Sequence, residues 1–529
     1  MVRAGDSSIR HKANEFITRI SSALGLRIQC PCHTATTVLR RVHHRTRRAI
    51  RGTVVSSLLL LALLIPLLNA YAAEPTLVDP RKLIFETVKF VPREPDRVVF
   101  ANGIVVFLLE DHELPLITIG ALMQTGGWLD PPDKVGLAAL TGTVMRTGGA
   151  SGVSAEKVDE ELEQFSGHMN ISIGRQSGSA SLDVLKKDLK RALQIFARLI
   201  RTPAFASARV ELAKLQAIEQ IRRRRDDPES LANQEFVKLL YGPGHATARE
   251  SSIESMQRIT REDLIAFHRN TIHPNGLILG VAGDFIRDEI VSFLQEVFGD
   301  WEQGTVPEVK IPNVVPDSQA ERTVIQLINK DLSQTHLRVG NLSLKENDAD
   351  YIPLVIANNI LGGDSFRGRL FNEVRSKRGL AYSVGSELST GTFNEGMWFL
   401  WAETKLPTTK EVLGQLVANI ERMRTELVSD AELAASKDAY LNSFVFDFSS
   451  SSQIISHAMQ LEYDGLPRDF FQQLRERVIN VSREDVLAAA KKYLLLDQLT
   501  IMAVGSGKVL MKDLSVFGHV NEIQLNSEG

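Results

Sequence analysis

Strand-like and helix-like segments run in the same order twice along this chain, on either side of a proline-rich stretch at residues 301–320. That repetition limits the fold more than any single motif does. The stretch passes from Trp301-Glu302-Gln303-Gly304 to Pro307, Pro312 and Pro316 and reads as an extended linker. Before it, residues 98–100 and 104–108 flank Asn102-Gly103, a hairpin signal, and 116–122 continues as a strand. After it, 323–327 and 335–340 repeat the order. Helical periodicity follows on both sides, over 137–145, 155–165, 186–200 and 206–225, then over 351–361, 371–377, 410–427 and 430–447. Each half closes with a helix and a strand, 261–268 then 277–282, and 483–493 then 500–504. A chain of 529 residues exceeds one hydrophobic core. The pattern predicts an α+β protein of two similar domains, 85–300 and 321–515, each a mainly antiparallel sheet with helices packed on one face.

Charge separates the N-terminus from the rest. Residues 1–72 carry 11 Lys and Arg against 2 Asp and Glu, and the remainder carries 50 against 62. An acidic body without a basic stripe argues against nucleic acid as a partner. The run Arg222–Arg225 is followed at once by Asp226 and Asp227 and reads as a solvated helix face. Arg45, Arg47, Arg48 and Arg51 precede an apolar run at 58–68, and Ala70-Tyr71-Ala72 follows it. Basic flank, short apolar core and small residues at the cleavage spacing describe a secretory signal within 1–72. The alternative, an inner-membrane anchor over 54–72, is disfavoured by the short run and by Pro66. The expectation is export, to a periplasm, with no membrane association after cleavage. Both cysteines, Cys30 and Cys32, lie in this extension, so the body has neither a disulfide framework nor a thiolate metal site.

Several motifs follow one another in a specific order. Thr125-Gly126-Gly127-Trp128-Leu129-Asp130-Pro131 leads to Gly136-Leu137-Ala138; Arg225-Asp226-Asp227-Pro228 precedes Leu240-Tyr241-Gly242; His273-Pro274-Asn275 precedes Gly283-Asp284-Phe285. Leu361-Gly362-Gly363 then leads through Arg369-Leu370-Phe371 to Val374-Arg375-Ser376-Lys377-Arg378-Gly379-Leu380-Ala381-Tyr382. In this order the motifs resemble the pitrilysin/insulinase/mitochondrial processing peptidase family, over residues 85–515.

The resemblance implies a zinc site on the helix after Gly-Leu-Ala. Histidines at i and i+4 of a His-x-x-Glu-His motif share a helix face and bind one Zn²⁺, and the glutamate serves as base on the bound water. Here the five positions read Ala139-Leu140-Thr141-Gly142-Thr143. Ala139 offers no ligand, Gly142 no base, and Thr143 a poor zinc donor. The third-ligand region falls near Glu211 to Glu219, with Ala213 at or beside the position. The eight histidines beyond the signal, His112, His168, His245, His268, His273, His336, His457 and His519, form no His-x-His or His-x₃-His pair. His268 and His273 straddle a helix end, and His112 belongs to a charged hairpin loop. No Gly-x-Ser-x-Gly elbow is present; Gly363-Asp364-Ser365-Phe366-Arg367 lacks the final glycine. No metal or other cofactor is expected in this chain.

In active relatives an Arg and a Tyr of the second domain bind the substrate carbonyl, and the resemblance places them at Arg375 and Tyr382. Guanidinium and phenol both donate hydrogen bonds to a developing oxyanion. Without the family register, Arg375 would be a surface helix residue, Tyr382 a core aromatic and Gly379 a helix cap. Arg378 competes for the arginine role at the wrong spacing. Lost ligands beside a retained pair imply a non-catalytic subunit. It would lend Arg375 and Tyr382 in trans to a zinc-bearing paralogue in a heterodimer or larger assembly that hydrolyses peptides. The alternatives are an inert peptide-binding or scaffolding module of the same fold and, last, an independent enzyme. Met169, Asn170 and Ile171, with Ser172 and Ile173, are the candidate sheet edge for adding a peptide strand.

Overall fold

The computed structural model describes residues 93–308, 310–311, 314 and 323–524, all within one compact unit, Val88–Gly529. The expected signal at 1–72 lies outside these residues, and so does much of the expected linker. Strands β1 (Asp96–Val99), β2 (Val105–Glu110), β3 (Leu116–Met123), β4 (His168–Ile173), β5 (Gly178–Leu185) and β6 (Leu277–Gly283) form one six-stranded sheet in the order β1-β2-β6-β3-β5-β4. Strands β7 (Val324–Asn329), β8 (Gln334–Leu342), β9 (Ala381–Ser389), β10 (Met397–Lys405), β11 (Thr500–Gly505) and β12 (Val520–Ile523) form the other, ordered β12-β7-β11-β8-β10-β9. The β2-β6, β7-β11 and β12-β7 pairs are parallel and the rest antiparallel. The fold is α+β.

The hairpin expected at Asn102-Gly103 is present, with Val98 opposite Val106. Gly103 at φ +89° closes the turn, its N–H donating to Phe100 O at 2.9 Å. The buried Asn102 amide donates to Phe298 O at 2.8 Å, tying the turn to the helix Arg287–Phe298. The repeat is looser than the strand order suggests. By sheet position β7 and β8 match β2 and β3, so the second half has no counterpart of β1 and fills that edge with β12.

The helices that position the site are α1 (Leu137–Thr147), α2 (Ser207–Arg224), α3 (Pro228–Tyr241), α4 (Asp430–Phe446) and α5 (Ser451–Asp464). Asp227 caps α3 by accepting from the Glu229 and Ser230 amides, and Pro228 takes the first helical position, where its missing N–H costs nothing. Two of these helices cross between the halves. α3, from the first half, lays Leu231, Ala232 and Phe236 on Ile328, Phe399, Met502 and Val504 of the second sheet. α5, from the second half, lays Ile454, Ile455 and Met459 on Phe107, Leu109, Ile278 and Ala282 of the first. Each sheet therefore packs its own helices on one face and a helix of the other half on the opposite face. This explains why β6 and β11 are apolar throughout rather than alternating. Gly280 lies under α5, where any side chain would run into Ile455 and Met459.

Candidate functional site

The helix on which the resemblance puts the metal motif is α1. Its entry is held by Asp130, whose carboxylate accepts from the Gly136 and Ala138 amides at 2.7 and 2.8 Å. Burial pushes this carboxyl up to about 6, and the two amides and Arg249 oppose that shift. Ala139 and Thr143 are exposed on one face, and the Thr143 hydroxyl donates to Ala139 O at 3.0 Å. Gly142 is buried against β4. A Cβ there would stand 2.5 Å from Ile173 N and 2.9 Å from the Ser172 carbonyl carbon, so the position of the family's glutamate has been closed by backbone. α2 packs on α1 with Ala213 buried, while Glu219 is engaged by Arg222 one turn along its own helix. The donor set at these positions does not fit a zinc ion, and the space for the glutamate is closed. Among the described residues no group of three His, Cys, Asp or Glu is placed to hold a metal.

The other histidines flagged above have local roles. The His268 ring bonds Ile200 O at 2.7 Å, and burial lowers its pKa. His273 lies beyond the end of the helix Arg261–Thr271. His112 is exposed and meets Asp284 at 2.6 Å.

β4 is an edge strand. Its side chains alternate, so Met169, Ile171 and Ile173 enter the core while Asn170 and Ser172 face out. The Met169 carbonyl already accepts from Arg146 Nε of α1 at 2.9 Å. Of the three residues expected to meet a peptide, only Asn170 offers its side chain.

Arg375 and Tyr382 come together on the surface of the second half. Arg375 lies on a short π-helical segment, Phe371–Ser376, in which the Lys377 N–H donates to Asn372 O at 2.9 Å. Gly379, at φ +62°, ends the segment, with its N–H donating to Arg375 O and the Leu380 N–H to Val374 O, both at 3.0 Å. Tyr382 is the extra residue of a β-bulge, because Ser383 pairs with Glu403 and Ala381 with Thr404. The bulge turns its ring outward, 76% exposed, so Tyr382 is not a core aromatic. The guanidinium of Arg375 sits 5.4 Å from the Tyr382 ring centre and 5.1 Å from that of Phe371. Both rings lie within cation–π range of the guanidinium, and the Arg375 side chain is exposed. Arg378 turns away towards Glu411, at 3.8 Å.

Two features here were not foreseen. Phe371 lies one turn before Arg375, a helical spacing legible in the sequence. Phe366, 76% exposed, packs edge-on against Phe371 with centroids 5.7 Å apart, and only the folded loop brings it there. That loop is fastened to α4 by Arg369, which binds Glu432 through two bonds of 2.7 and 3.0 Å. The guanidinium and the Ser429 cap hold the Glu432 carboxyl down at about 2.

The fold matches solved structures over most of its length. A peptidase M16 inactive domain from Pseudomonas fluorescens superposes with a TM-score of 0.71 and 24% identity, covering 78% of this chain and 98% of that one. A protease from Helicobacter pylori does so with a TM-score of 0.68 and 18% identity, covering 78% and 100%. An α+β molecule of this architecture, with Ala139, Gly142 and Thr143 at the His-x-x-Glu-His positions, is a peptidase-like protein without that motif. Models of the insulinase family, peptidase family M16, and of its "peptidase M16 inactive domain" match residues 105–242 and 258–440, and the chain belongs to that family. Relatives include an uncharacterized zinc protease of Rickettsia felis, 24% identical over 74% of this chain and 93% of its own length. The non-peptidase homolog YmxG of Helicobacter pylori is 24% identical over 75% and 91%.

Proposed function

We propose that this chain is the non-catalytic subunit of a heteromeric zinc metallopeptidase and lends Arg375 and Tyr382 to the active site of a zinc-bearing paralogue. The supporting observation is an exposed Arg375 and Tyr382 already in cation–π contact, together with a motif helix whose glutamate position is filled by β4. The principal packing of α1 is with β4, α2 and the helix Arg261–Thr271, and that of the Arg375 segment is with β9 and the helix Thr409–Thr425, each within its own half. In this reading zinc and the base come from the partner, and 85–300 and 321–515 act as the two peptidase-like domains. In the same reading the expected signal within 1–72 exports the chain, and family habit points to a periplasm.

The test is peptide hydrolysis by the mature chain, alone and mixed with a family member that carries His-x-x-Glu-His. Hydrolysis is expected only in the mixture. Arg375→Ala should lower kcat there by about a hundredfold or more, the usual effect of removing an oxyanion donor. Absence of any gain on mixing, with a folded chain, would favour the inert binding or scaffolding module.

A further inference from the structure

We propose that Phe366 and Phe371 extend the Arg375/Tyr382 pair into one peptide-binding ladder, in which Phe371 orients the guanidinium and Phe366 selects an apolar or aromatic side chain of the substrate. The proposal rests on the preceding reading only in taking a peptide at Arg375 and Tyr382.

The four side chains touch in series. Phe366 meets Phe371 at 5.7 Å, Arg375 lies over Phe371 at 5.1 Å, and Arg375 lies over Tyr382 at 5.4 Å. Both ends of the series are 76% exposed. Phe366 lies on the loop that leads into the Phe371–Ser376 segment. This loop is held at three points. Asp364 Oδ1 accepts from the Phe366 and Arg367 amides at 3.0 Å each, and the Asn372 side-chain amide donates to Arg367 O at 2.9 Å. Arg369, itself nearly buried, clamps the loop to Glu432. The backbone that carries Phe366 is therefore fixed before any ligand arrives, which lowers the ordering cost of binding.

Phe371 does for Arg375 what a carboxylate would do elsewhere, fixing its orientation, but leaves all of its donors free. A guanidinium in cation–π contact with two rings keeps its N–H groups available for a carbonyl or developing oxyanion. The steps from Phe366 to Phe371 and on to Arg375, 5.7 and 5.1 Å, together reach at most about three residues of extended peptide at ~3.3 Å per residue. A peptide whose carbonyl meets Arg375 would thus set a side chain within about three residues of that carbonyl against Phe366.

The test uses two acetylated, amidated decapeptides that differ only in Phe or Ser at one central position, titrated into the mature chain by calorimetry. The Phe peptide should bind about fivefold more tightly, the worth of one aromatic contact. Phe366→Ala should remove that difference. Phe371→Leu should weaken both peptides alike, as Arg375→Ala does, and Phe371→Tyr should restore binding. Equal or absent binding of the two peptides, or a preference that survives Phe366→Ala, overturns the proposal. So does a Phe366→Ala chain that keeps its peptide preference but no longer associates with the zinc-bearing family member, since Phe366 would then be a subunit contact. Peptide selectivity without hydrolysis in the mixture would remove the subunit reading and leave this one standing.

Discussion

At the scale of single residues, the loss of the metal site is more than a change of donors. Ala139 and Thr143 lie on the exposed face of their helix, so histidines can be returned to both with changes in stability within about 0.5 kcal/mol. Gly142 differs. Even alanine there meets the backbone at Ser172–Ile173, and Gly142→Ala should cost about 1–3 kcal/mol in urea unfolding. Restoring all three motif residues should therefore give a destabilised protein rather than a peptidase, checked by unfolding midpoint and bound zinc together. Electrostatics at the loop clamp gives a second expectation. Glu432 titrates near 2 in the folded chain against an ordinary 4.5, so its contribution to stability is complete above the ordinary value and lost as pH falls between the two. Glu432→Gln should flatten the acid limb of a Tm–pH profile in that window. Asp130 works in the opposite sense, favouring the folded state less as pH rises from its ordinary 3.8 to about 6.

At the scale of elements, what the sequence disclosed depended on whether the signal was local. Helix 155–165 carries its own cap at Ser154 and helix 483–493 its capping box at Ser482, and both lie where periodicity placed them. Arg375 and Tyr382 were found through a motif in register, and Gly379 through helix-capping chemistry. The outward turn of Tyr382 was not legible, because a bulge is a property of pairing with Glu403 and Thr404, far along the chain. The covering of the second face of each sheet was hidden for the same reason. Nothing in 228–241 marks it as a helix for the other half's sheet rather than its own. Its importance is measurable: Phe236→Ala, at a fully buried site on that sheet, should cost about 3–5 kcal/mol. The same change at exposed Phe446, on α4, should cost about 0.5 kcal/mol or less. Chemical unfolding compares the two.

At the scale of the whole molecule, the crossing of α3 and α5 makes the two sheets interdependent. Cut within 301–320 and produced separately, each part would expose the apolar sheet face that the other's helix covers and should aggregate. Co-expressed, the parts should assemble into a soluble complex, checked by sedimentation. The crossing also bears on how such a chain arose. A solitary ancestral half would have found its missing helix only on a second copy of itself, so the stable form before any gene duplication would have been a helix-swapped homodimer. Joining two such copies end to end would free each to diverge, because neither would have to pair with itself again. One could keep an arginine and a tyrosine while the other let its histidines go.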